Sequence, residues 1–509
     1  MGPFQRILKN LAALLTGRVI SILQQYIVPA VFIYHYGLAG FGEWAALSST
    51  VSILGTLNFG VQTYVNQDLA IRFNRGETES YHIRQSTALR LLTGAILIVA
   101  VLLLGLFAVP FDDLLKLHIS RIDAQWTLYL LGLQVLLTVL FGYFGGIFMS
   151  VNRAHRGSHW NNIQALLSSL GLLVGVALHQ PFPMLAGIQL GALVLCTVGV
   201  LVDLHRSAPE VFPTLRYWDG SDLGTLLKGS GHFGMLEVAN FFIYQVPLLI
   251  IQRVVGADAV GAFTLMRTLF GSCRQILSMF TQSMGAEITN LYGQNDWPQL
   301  ARLYNYSERL IFFLISVVNL TVLTLSPVLI TVWIHRKPIP GTEVSRLFSV
   351  YPYVLSSAIS IVISLTEHKR QFQFSTNTHM AMARVVFIGY IAMDVISVGT
   401  IHYAGVIGFL WTWLTFEILL AGYLLVLNSR LFHHIQQADT VYMTRLVIFC
   451  TLSLFAAVPA LRYTSELDLW AQAGISAVVA LVVTALSWQI FQVKPVFSDV
   501  MRRLSMRFA

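Results

Sequence analysis

Charged residues make up only 11% of these 509 positions, and several fall inside long apolar stretches, where each costs roughly 2.5 to 3.5 kcal/mol to place. Thr264, Arg267, Gly271, Arg274, Ser278 and Gln282 recur at steps of three or four. That spacing puts two guanidinium groups and three uncharged polar side chains on one face of a helix. An arginine at such depth needs a water-filled cavity or a buried partner. Arg18, Ser21 and Gln25 repeat the spacing, with Gln24 beside them and Pro29 offering a bend. Glu237, Asn240 and Tyr244 share a face in the same way, with His232 and Gln245 nearby. Asp394 and Glu417 are isolated carboxylates in apolar surroundings, the residue type through which carriers couple to proton or sodium gradients.

Each of these residues has a plainer role open to it. Arg274 lies too deep to snorkel, so it needs a wet cavity or a buried partner; Arg267 is nearer the outer side. Arg18 lies about seven residues into its stretch, roughly 10 Å deep, so either snorkelling or a cavity suits it. Glu237 serves either as a neutralising partner for Arg18 or as a substrate or proton site. Asp394 and Glu417 either couple an ion or pair with Arg384 or a hydroxyl. His155, His159, His433 and His434 are expected in solvent or among headgroups, and Trp126, Trp160, Trp333 and Trp470 as interfacial anchors. Cys196, Cys273 and Cys450 show no CxxC or Cys/His spacing, so no disulfide, metal site or cofactor is expected. Asp112 and Asp113, the paired carboxylates, read as a solvated loop, and no phosphate-binding glycine loop is present. An enzyme is not expected.

The elements that must position these groups are membrane-spanning helices. Hydrophobic residues fill 56% of the chain, and about fourteen apolar stretches are each long enough to cross a bilayer. They fall at about 11–35, 40–64, 86–110, 125–150, 161–179, 184–203, 229–255, 258–285, 308–334, 347–366, 380–402, 405–428, 442–461 and 470–491. The fold class is therefore all-α and polytopic. The net charge of +8 is spread through short loops, which argues against nucleic acid and for orientation. The basic residues gather at Arg6 and Lys9, Arg72 to Arg84, Arg153 and Arg156, Arg206 to Lys228, Lys369 and Arg370, and Arg502 to Arg507. Lys116, Arg121, Arg336, Lys337, Arg346 and Arg462 fall on the other side. The positive-inside rule then puts both termini in the cytoplasm. The leader runs into a full-length span without a cleavage site, so no cleaved signal is expected.

An internal repeat divides the chain. Gly42 matches Gly261, Asp68 matches Glu287 and Arg90 matches Arg309, all at a step of 219 residues (261 less 42). The matched segments lie six spans apart, so the repeat is parallel, with a pseudo-twofold along the membrane normal. The expected organisation is a lobe of spans 1 to 6 (1–203), a cytoplasmic linker (204–228), a lobe of spans 7 to 12 (229–428), and spans 13 and 14 with a basic tail (429–509).

Several short motifs carry a resemblance. Asn10-Leu11-Ala12 precedes the first span, Tyr36-Gly37-Leu38-Ala39-Gly40-Phe41-Gly42-Glu43-Trp44 leads into the second, and Leu57-Asn58-Phe59-Gly60-Val61 closes it. Val254-Val255-Gly256-Ala257-Asp258-Ala259-Val260-Gly261-Ala262-Phe263 is the second-half counterpart. With these the chain resembles the multidrug/oligosaccharidyl-lipid/polysaccharide exporter superfamily, and within it the polysaccharide transporter family of O-antigen-type flippases. It departs from the pattern at Asn58, where the family has an acidic residue, and at Phe263, where it has Tyr. The resemblance implies two lobes around a central cavity, alternating access by rocking, and a bacterial inner-membrane location. The implied cargo is an undecaprenyl-diphosphate-linked oligosaccharide for O-antigen, capsule or exopolysaccharide. It also implies surrounding membrane lipids, and polysaccharide polymerase and chain-length machinery as partners. Arg18, Arg267 and Arg274 match the family habit of cations facing the cavity from spans 1 and 8; Gln25, Gln282, Asn240 and Tyr244 would meet diphosphate or sugar. An ion-coupled multidrug extrusion carrier of the same superfamily is the alternative, although cavity arginines suit an anion better than an organic cation.

Overall fold

The long apolar runs fold as helices because no water is available at membrane depth to satisfy backbone N–H and C=O groups, and a helix satisfies them within its own segment. The computed structural model describes residues 3–58, 61–217, 235, 238–334, 339, 341–376, 378, 380–431, 440–464 and 467–495. The helices used below are α1 (Pro3–Ser52), α2 (Val61–Asn74), α3 (Thr78–Leu102), α4 (Phe111–Leu115), α5 (Arg121–Ile147), α6 (Ala154–Ala177), α7 (Phe182–Ser207), α8 (Val246–Val254) and α9 (Ala257–Ser283). They continue with α10 (Gly285–Gly293), α11 (Trp297–Ile334), α12 (Glu343–Leu347), α13 (Val350–Ser375), α14 (Met380–Leu431), α15 (Thr440–Thr464) and α16 (Leu469–Ile490).

Ten helices among the described residues are long and apolar enough to cross a membrane. Two of them, α1 and α14, are each two spans joined with almost no loop. The break falls at Gly37 (φ 74°, ψ 173°) in α1 and at Gly405 (φ 62°, ψ −155°) in α14, conformations open to glycine because it lacks a Cβ. The shorter apolar stretch Val238–Val254 and the polar-faced α9 stand where the seventh and eighth spans are expected, so the fourteen-span reading is met. Chain entry into several helices is fixed by side-chain caps. Ser120 accepts from the Asp123 N–H, Thr342 from Ser345 and Asp468 from Ala471, each satisfying an end-of-helix donor.

Three expectations are corrected. Span 10 does not end near residue 366 with Lys369 and Arg370 in a loop: α13 runs on to Ser375, and Lys369 is fully buried. Its apolar residues Phe372 and Phe374 continue past the charged run, and partners on neighbouring helices neutralise it. Span 2 stops at Asn58, and a separate helix α2 begins at Val61. Trp333 is buried inside the protein, not placed as an interfacial anchor.

The chain forms two compact units, Met1–Gly261 and Ala262–Ala509. In the first, α5 packs along α7 and α1 along α6, around a core that includes Leu69, Tyr81, Tyr143 and Phe148. In the second, α13 lies against α14, and α11 against both α13 and α16; Ile311, Phe312, Ile315 and Phe491 fill one core.

The repeat reappears within the first unit as a reciprocal contact. A Cβ on Gly42 would collide with the backbone carbonyl of Ala257, and one on Gly261 with that of Leu38. Leu38 and Ala257 are themselves 219 apart (257 less 38). The two close approaches are thus equivalent under the sequence repeat, as a twofold-related pair is.

Candidate functional site

The face of α9 that carries the polar residues is not packed into the core of the second unit. Leu265, Leu269, Cys273 and Leu277 are buried in the second unit, whereas Arg267, Gly271, Arg274 and Ser278 are half-buried and Gln282 is exposed. Thr264, at the top of the stripe, is buried instead, with no partner for its hydroxyl. The apolar side of α9 is fixed by packing and backbone bonds: Ser360 of α13 donates to the Phe270 carbonyl at 2.9 Å, and Phe263 meets Phe409 edge-on at 5.5 Å. These contacts hold the apolar side of α9 against the second unit and leave its arginines on the opposite side.

Arg274 is paired. Its Nη1 lies 3.3 Å from the Glu367 carboxylate on α13, and both side chains are about one-third exposed, at 30% and 29%. Glu367 begins a single helical turn whose four consecutive side chains, set about 100° apart, each find a partner on a neighbouring helix. His368 Nε2 lies 3.4 Å from Ser307 Oγ of α11. Lys369 forms an ion pair with Glu308 of α11 and donates to the Tyr304 hydroxyl at 2.6 Å, with the Tyr304 ring 4.5 Å away. Arg370 donates to the Tyr390 hydroxyl of α14 at 2.9 Å, and that hydroxyl donates to Glu417 at 3.0 Å. Trp413 Nε1 adds a second bond to Glu417 at 3.3 Å. Lys369, Glu308 and Glu417 are almost wholly buried. Charges so deep persist only when paired and hydrogen-bonded, and this turn supplies both conditions.

Of the sequence-proposed coupling carboxylates, Glu417 is therefore held in the Arg370–Tyr390–Trp413 network. Asp394 is different: it is 4% exposed, and neither carboxylate oxygen has a hydrogen-bond partner. Arg384, the partner considered for it, is exposed. Glu237 and His232 lie outside the described residues.

In the first unit, Arg18 is on the exposed side of α1 and Gln25 is half-buried. The polar groups beside them are structural. Gln24 donates to the Ala165 carbonyl at 2.7 Å, and Asn162 to the Ala13 carbonyl at 2.9 Å, tying α1 to α6. Asn240 is exposed and Tyr244 half-buried, while the neighbouring Gln245 accepts from Ser49 at 2.9 Å. The structure thus brings Arg267, Arg274 and Gln282 together on one face and leaves Asp394 and Glu417 buried off that face.

Glu367, Glu308, Tyr304, His368 and Lys369 were not found by sequence reasoning. A run of Glu-His-Lys-Arg looks like a loop. The signal that identifies it as helix is the four-residue step Ser360, Ser364, His368, Phe372, all buried, which passes straight through the charges.

No family model matches the sequence. No curated protein matches it either. Solved structures do match, and they show the fold: it is shared with structures described as transporters of the multidrug/oligosaccharidyl-lipid/polysaccharide superfamily. The chain superimposes on the lipid II flippase MurJ in an inward closed conformation, with a TM-score of 0.67, 11% identity, and 95% of this chain and 99% of that chain covered. A multidrug resistance MATE family transporter in an inward-facing conformation gives 0.64 at 12% identity, covering 81% of this chain and 95% of that one. A superfamily transporter from Pyrococcus furiosus, described as having a binding pocket of reverse polarity, gives 0.55 at 11% identity, covering 86% and 97%. These likenesses show a shared fold, and the ten long apolar helices among the described residues suit a multi-pass membrane protein.

Proposed function

We propose that this chain is a flippase that carries an undecaprenyl-diphosphate-linked glycan precursor from the inner to the outer leaflet of a bacterial cytoplasmic membrane. The cargo would serve O-antigen, capsule or exopolysaccharide synthesis, with polymerase and chain-length proteins acting after it. The observation that carries this reading is the open face of α9, where Arg267 and Arg274 stand in the middle of a span. A diphosphate and its sugars cannot cross hydrocarbon unaided, because moving an ionised or strongly hydrated group into an apolar medium is prohibitively costly. Guanidinium groups on a wet face offer the diphosphate a replacement for its hydration, and Gln282 on the same face suits sugar hydroxyls. Arg18, Gln25, Asn240 and Tyr244 are proposed as further cavity residues. The lobe scheme 1–203, 204–228, 229–428 and 429–509 is proposed as the working organisation, with both termini cytoplasmic.

The test is flipping of a lipid-diphosphate-linked oligosaccharide by purified protein in liposomes, alongside Arg274→Ala. The variant is expected to insert normally and to lose transport. A fully active, well-inserted Arg274→Ala protein would count decisively against this site.

A second reading, an ion-coupled multidrug extrusion carrier, is favoured by one observation: Asp394 is a buried carboxylate whose oxygens have no hydrogen-bond partner. The fold likeness to MATE transporters is compatible with it. Export of a cationic dye by the purified protein, lost in Asp394→Asn, would move the assignment to this reading. Coupling of a flippase to protons or sodium through Asp394, Glu417 or Glu237 is tested separately by uncouplers and ion replacement.

A further inference from the structure

Charged side chains of α13 reach three neighbouring helices, and the contacts differ in one respect. Lys369 with Glu308 is sealed, at 1% and 5% side-chain exposure. Arg370 reaches the buried Glu417 through Tyr390. Arg274 with Glu367 is open to water at 30% and 29%, and its 3.3 Å separation is looser than a well-formed charge-assisted bond. Sealed pairs hold helices together. A solvent-exposed pair contributes little to stability, so it needs another explanation when it sits on the face that the proposed cargo would use.

We propose that Glu367 is an exchangeable counter-ion for Arg274, one that the diphosphate of the cargo displaces. This rests on the reading of the α9 face as an anion site. With no cargo bound, an arginine in mid-span without an anion would be costly, and Glu367 supplies that anion. A diphosphate carries more charge and offers two oxygens to the fork, so it takes the guanidinium. Glu367 is then released from the guanidinium.

The neighbouring groups allow the exchange. Arg370 donates to Tyr390, which bonds Glu417, and it also lies close enough to Glu367 to interact with it. From α11, Glu308 is matched by Lys369, and His368 lies against Ser307. Arg370 therefore keeps a positive charge near Glu367 when Arg274 turns to the cargo.

The experiment uses the full chain in nanodiscs with farnesyl diphosphate as probe. Binding is measured by calorimetry for the wild type, Arg274→Ala, Glu367→Gln and Glu367→Asp. Glu367→Gln is expected to bind about two- to fivefold more tightly, since no anion competes. Glu367→Asp, whose shorter arm holds the guanidinium less closely, is also expected to bind more tightly than wild type, and it serves if the glutamine variant does not fold. Unchanged affinity in the folded Glu367 variants would overturn the counter-ion. Failure of the wild type to bind the probe, or wild-type binding by Arg274→Ala, would instead overturn the anion-site reading beneath it.

Discussion

Lys369 shows how a residue can be misread when only its type is known. Lysine after an apolar run signals a loop at the inner surface, yet here its Nζ is sealed between Glu308 and the hydroxyl and ring of Tyr304. Sequence order carries no trace of this, because the carboxylate that makes the burial possible lies 61 positions earlier in the chain. By contrast Arg267, Arg274 and Gln282 were legible, since their spacing alone sets a helical face. Removing one member of a buried pair strands the other charge, which costs about 3 to 5 kcal/mol. Lys369→Ala is therefore expected to lower thermal stability in detergent sharply, whereas Lys369→Met combined with Glu308→Leu recovers most of the loss. A single variant as stable as the parent would show that the pair does not hold α11 to α13.

At the level of elements, hydrophobic length located the spans, and polar turns located most of their ends. What composition could not locate was where one span passes into the next with no polar loop at all. Gly37 and Gly405 do this by adopting positive φ, and after Gly405 the N–H of Val406 donates to Glu343 at 3.0 Å. The glycines that permit close helix crossing are distinct from these. Gly42 and Gly261 each approach a carbonyl of the opposite segment, whereas Gly271 on the wet face of α9 has open space where a Cβ would go. Gly42→Val and Gly261→Val are expected to reduce the yield of folded protein to a similar degree, because their contacts are equivalent under the repeat. Gly271→Ala should leave folding intact and add slightly to helix stability, by up to about 1 kcal/mol. Size-exclusion profiles and thermal melts of the three variants check this, and unequal damage at the two crossing glycines would break the equivalence.

For the molecule as a whole, the proposed direction of transport depends on the proposed orientation, which rests on the charges of the loops. Placing Lys369 and Arg370 within α13 removes two charges from the proposed inner count, which still holds Arg72, Arg75, Arg153, Arg156, Arg206 and Arg216. The fold supplies a clean test because the native thiols are out of reach: Cys196, Cys273 and Cys450 are 2%, 0% and 4% exposed. A membrane-impermeant maleimide should therefore find little background. Tyr403, 90% exposed at the junction before Gly405, belongs to the connection between spans 11 and 12, which an inside N-terminus places outside. Arg75, with a side chain 70% exposed, lies between α2 and α3, which the same count places inside. Tyr403→Cys is expected to react in intact cells, and Arg75→Cys only after the membrane is opened. The opposite pattern would invert the protein and, with it, the leaflet from which a diphosphate-linked cargo could enter. The wet face of α9 would then have to be read as a site for import or release.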